Sequence, residues 1–101
     1  MKQCCRDYLM EQFGDEDVIA EIYAEYAKSI QEKIPELEAA LNSENWGDLD
    51  KLAHAVKGNA LATGDNAMAD LAISLRVSAK MSEKENSETL FGKMKELAKE
   101  I

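Results

Sequence analysis

The chain has one histidine, His54, in the string His54-Ala55-Val56-Lys57-Gly58, and these residue types suit nucleophilic chemistry. Imidazole is the side chain whose unperturbed pKa lies nearest cellular pH, so an exposed ring is a neutral nucleophile without elaborate activation. Lys57 follows one helical turn later, close enough for its ammonium to reach a group attached to the ring. If that group is a phosphoryl, Lys57 leaves the ring nitrogen free to attack and partly neutralises the oxygens of the product. Gly58 costs about 1 kcal/mol relative to alanine inside a helix, and on an outer face a closely approaching partner would explain it. Gly92 also falls on an outer helix face with no chemistry beside it, so Gly58 carries weight only together with its neighbours.

Those residues must be placed by a helix. Trp46, Leu49, Leu52, Ala53, Val56 and Ala60 recur at helical spacing, and with that stripe near zero His54 falls at roughly 140°, Leu61 at 120°, Lys57 at 80° and Gly58 at 180°. His54 therefore points to solvent or to a groove edge. Leu61, one turn beyond on the same side, has little core to enter and suits docking. Asn45 with Asp48 resembles a capping box at the start of this helix, and Gly64 is a natural stop.

The same reading gives an all-α chain, with helices over about 3–13, 15–42, 46–63, 66–80 and 83–100. Asp15 caps the longest, whose stripe comprises Val18, Ile19, Ile22, Tyr23, Tyr26, Ile30, Ile34, Leu37 and Leu41. Pro35 predicts a kink between Ser29 and Ile34. Tyr8, Leu9 and Phe13 are expected to turn inward from the first helix. Asp65 or Asn66 starts the fourth, with Met68, Leu71, Ala72, Leu75 and Ala79 buried. Ser82 and Glu85 form another capping box before Leu90, Phe91, Met94, Leu97, Ala98 and Ile101. Met68, Met81 and Met94 read as gap-filling core residues and Trp46 as a core anchor. Short connections make each long helix antiparallel to the next, so the expected architecture is an antiparallel up-down four-helix bundle with a short N-terminal helix.

One domain over residues 1–101 fits a length at which a conventional core suffices. Twenty acidic and twelve basic side chains leave a net charge of -8, which repels polyphosphate backbones and anionic headgroups. Nucleic acid and membrane partners are not expected. Cys4 and Cys5 are neighbours whose bridging would need strained geometry; they read as packing residues at a frayed end, and no metal site is expected from them and the single distant histidine. No signal-like apolar stretch opens the chain, and a cytoplasmic, monomeric protein is expected.

His54-x-x-Lys57-Gly58, with Asn45-Trp46 and Leu52-Ala53 upstream and Ala60, Gly64, Met68 and Leu71 downstream, resembles a histidine-containing phosphotransfer (HPt) domain from about Phe13 to the C-terminus. The resemblance implies that His54 accepts a phosphoryl group from a receiver-domain aspartyl-phosphate and passes it to another receiver's aspartate. The partners implied are response-regulator receiver domains and a hybrid histidine kinase. It implies no kinase or nucleotide-binding activity and no cofactor of its own, with Mg²⁺ coming from the receiver. Lys57 and Gly58 would support the phosphoryl group, and Leu61 and Asn59 would dock the partner. Asn59 stands where a small hydroxyl residue is common. Arg76 stands where relatives carry a glutamine or other polar residue that steadies the imidazole, so it either orients His54, meets phosphoryl oxygens or forms a surface salt bridge. The competing expectation is a non-catalytic helical module that docks receiver or kinase domains without being phosphorylated.

Overall fold

Asp15 starts the longest helix because its carboxylate accepts hydrogen bonds from the amides of Asp17 and Val18, donors that a first helical turn otherwise leaves unpaired. In the computed structural model, which describes residues 1–101, that helix is the second of five: α1 (Gln3–Phe13), α2 (Glu16–Asn42), α3 (Trp46–Thr63), α4 (Asn66–Lys80) and α5 (Lys84–Ala98). There are no strands. The connections after α2, α3 and α4 are only two or three residues long, so successive helices run antiparallel. α2 packs on α3, α3 on α4, α4 on α5, and α5 returns to α2 with no diagonal packing, which closes a four-helix ring. Its centre is filled by Ile30, Leu37, Leu49, Val56, Met68, Leu75 and Met94, all essentially solvent-free.

The short N-terminal helix has a geometric reason. At 1.5 Å per residue, α2 is about 40 Å long and α3 about 27 Å, so the N-terminal part of α2 overhangs the bundle by about 13 Å. α1 lies against that overhang, with Cys5 and Leu9 inside beside Ile19, Tyr23 and Tyr26. Gly64 lets it come close. It has φ of +81°, and a Cβ there would stand 2.5 Å from Tyr8 Cβ.

Several packing expectations are corrected. Tyr8 and Phe13 are 37% and 54% exposed, because the inward face of α1 is the Cys5–Leu9 pair, four residues apart. Cys5 belongs to an ordered helix and the core, whereas Cys4 is exposed. Val18 is exposed on the solvent side of α2, and Trp46 packs on the edge of the core rather than in its centre. Met81 lies past the last turn of α4 and is 67% exposed. Ser82 and Glu85 form no capping box: Ser82 has φ of +53°, and Glu83 holds the N-cap position without a side-chain bond. Ser78 closes this corner instead, with its hydroxyl 2.6 Å from that of Ser87 and donating to the Glu83 carbonyl at 3.2 Å. α2 is continuous through Pro35, and Ile30 and Leu37 are buried on either side of it, so packing holds the helix where proline removes a donor.

Candidate functional site

Asn45 fixes the start of α3, its side-chain oxygen accepting from the Asp48 amide while its own amide donates to the Asp48 carboxylate at 2.9 Å. Gly64 ends it in the left-handed conformation. Between these ends, burial of Leu49, Ala53, Val56 and Ala60 fixes the rotation of the helix and leaves His54, Gly58 and Leu61 exposed. His54 therefore stands on the outer surface near the middle of the bundle, as expected. None of the surface depressions of the molecule is lined by it.

Arg76 of α4 reaches across to α3 and ties two residues of that helix together. Its Nε donates to Asp50 Oδ1 at 2.8 Å, and its Nη1 lies 3.0 Å from His54 Nδ1. Asp50 precedes His54 by four residues, so both project from the α3 face that meets α4. The hydrogen bond from Arg76 is the largest influence on the Asp50 carboxyl and holds it below its ordinary range; desolvation opposes it, and the charges of Arg76 and Lys80 add to it. Arg76 thus combines an ion pair to Asp50 with a contact to the His54 ring. Asp50 was not legible as a site residue, because its role depends on the α3–α4 contact.

His54 Nε2 has no partner within the chain, so the ring is held from one side and open on the other. Lys57 is half-buried and takes part in none of the chain's ion pairs. A Cβ at Gly58 would meet nothing within 4 Å, which leaves a bare patch of helix beside the ring. Leu61 is 47% exposed. Asn59, expected to dock a partner, turns its amide to Ser29 Oγ of α2 at 2.8 Å and ties two bundle helices together. The exposed apolar residues Ile73 and Val77, which no motif marks, flank Arg76 at helical spacing on α4. Their signal was the lack of burial at positions out of phase with Ala72, Leu75 and Ala79. No group of three or more His, Cys, Asp or Glu is arranged to hold a metal ion, and Cys4 and Cys5 stand at the α1 end of the molecule.

The model of the Hpt domain matches residues 21–101. The chain belongs to the Hpt domain family. No curated protein and no solved structure matches it. The match begins inside α2 and covers α3, α4 and α5, and α1 and the first turn of α2 lie outside the matched residues. Membership assigns this Hpt domain to phosphotransfer in two-component signalling, where Hpt domains interact with receiver domains and histidine kinases. No helix of the molecule is long and apolar enough to cross a membrane.

Proposed function

We propose that His54 is the phosphoryl carrier of a phosphorelay, loaded from the aspartyl-phosphate of one receiver domain, such as that of a hybrid histidine kinase, and unloaded onto the aspartate of a response regulator. The observation that carries this reading is the unpartnered Nε2 of an exposed ring on the outer face of α3. In loading, the Nε2 lone pair of the ring that carries hydrogen on Nδ1 attacks phosphorus, the N–P bond forms, the P–O bond of the acyl phosphate breaks to release the carboxylate, and the Nδ1 proton leaves to solvent. Unloading reverses these steps with a second carboxylate as nucleophile.

The lack of a cleft around His54 fits a macromolecular substrate, because the partner then supplies the enclosing pocket and its Mg²⁺. Lys57 stands unpaired where phosphoryl oxygens would come, and Gly58 gives the partner's backbone room to approach. Leu61, Ile73 and Val77 supply apolar contact around the ring, and the domain works as a cytoplasmic monomer. Incubating the protein with a phosphorylated receiver should transfer acid-labile, base-stable label to it, and His54→Gln should carry none. Label that persists in His54→Gln overturns the assignment. A receiver that binds without transferring label identifies a docking module instead.

A further inference from the structure

In a neutral imidazole one nitrogen carries hydrogen and the other a lone pair. A guanidinium has donors only, so the 3.0 Å contact from Arg76 places the lone pair on Nδ1 and the hydrogen on Nε2. Attack from Nε2 needs the reverse arrangement. The ring phosphorylated on Nε2, in its neutral form, has no hydrogen on either nitrogen and again presents a lone pair at Nδ1. Arg76 thus complements the resting ring and the phosphorylated ring, but not the attacking ring.

Release makes the same demand as loading. When the N–P bond breaks, its electron pair returns to Nε2, so for the ring to depart as neutral imidazole rather than as the much poorer leaving group imidazolate, a proton from solvent must already sit on Nδ1. Arg76 occupies that lone pair, and its guanidinium does not give up a proton. Loading, transfer and hydrolysis all require this hydrogen bond to let go. Asp50 decides how readily it does so, because its carboxylate grips the same guanidinium at 2.8 Å and so holds it against the ring.

We infer that Arg76, anchored by Asp50, is a positioning residue that holds His54 Nδ1 as an acceptor, so that it lengthens the lifetime of the phosphorylated domain and slows its exchange of phosphoryl groups. This inference rests on His54 being the carrier. A glutamine at position 76 would act differently, since its carbonyl can accept from Nδ1–H and steady the attacking tautomer.

The test is ¹⁵N NMR of the imidazole in the full chain, followed by the half-life of the phosphorylated protein. The wild type should show hydrogen on Nε2 alone, Arg76→Ala should populate both tautomers, and Arg76→Gln should shift the population toward Nδ1–H. Once loaded, both variants should lose phosphate about fivefold faster, the scale of one exposed charge-assisted hydrogen bond. Asp50→Asn should shorten the half-life in the same direction by a smaller factor. A tautomer ratio unchanged in Arg76→Ala, or an unchanged half-life, overturns the inference. Absence of label on His54 overturns the carrier assignment instead, and the tautomer measurement on unphosphorylated protein tells the two failures apart.

Discussion

His54 and Gly58 are exposed on α3 with the half-buried Lys57 between them, and Gly58 allows the least ambiguous test of what that stretch is for. An alanine methyl at Gly58 would meet nothing within 4 Å, and the same holds at Gly92 in α5. Each Gly→Ala change should therefore stabilise its helix by about 0.5–1 kcal/mol, by helix propensity and by restricting the unfolded chain. Function should separate them. Gly58→Ala puts a methyl where a partner's backbone is to approach and should slow phosphotransfer several-fold, whereas Gly92→Ala should transfer at the wild-type rate. Stopped-flow or quenched transfer assays on the two variants, with melting curves as control, read both effects. Equal rates in the two would remove Gly58 from the docking surface. His54, Lys57 and Leu61 were legible in the sequence because each depends only on its angle around one helix. Asp50 as a partner of Arg76 was not, since the two meet only after α3 and α4 pack, nor was the bond from Asn59 to Ser29, which spans 30 residues.

α1 shows what element-level patterns leave out. Helix positions, caps at Asp15, Asn45 and Asp65, and the stop at Gly64 could be read from spacing, because each is a local competition for backbone donors. The rotation of a short helix could not, and Tyr8 and Phe13 were turned the wrong way. What sets it is Asp65, an N-cap by pattern but a fully buried carboxylate in fact. It accepts from Tyr26 Oη at 2.7 Å and from Lys2 Nζ at 3.0 Å as well as from the Met68 amide, so one side chain joins the start of α1, the middle of α2 and the start of α4. Asp65→Ala should cost about 3 kcal/mol, because it leaves a largely buried ammonium and a buried phenol without partners and removes a cap. The melting temperature should fall by more than about 10 °C. Amide exchange should rise first across residues 3–13, while α3 and its histidine keep their protection. A drop of only a degree or two would show that α1 is held by Cys5 and Leu9 alone.

At the scale of the whole molecule, the overhang of α2 gathers titratable groups that all respond to alkali in one direction. Burial, with help from Cys4 and Asp65, pushes the Cys5 thiol from 9.0 up to about 12. Burial also raises Tyr26, whose hydroxyl donates to Asp65, and Tyr23 to a smaller degree. Lys2 is raised as well, since desolvation, which opposes its charge, is outweighed by Asp65. A group whose pKa is raised by folding contributes stability in full below its unfolded value, and loses it as pH climbs from that value to the folded one. For Cys5 the loss runs from about pH 9 to about pH 12, and the tyrosines join from their ordinary value near 10. Melting temperature should therefore not respond to these groups near neutrality and should decline above pH 9. Cys5→Ala removes the earliest of them and should delay the onset to about pH 10, superimposed on a constant loss from the smaller side chain. An onset that stays at pH 9 in Cys5→Ala would mean that the thiol titrates freely, and that the end of the bundle covered by α1 is open to water.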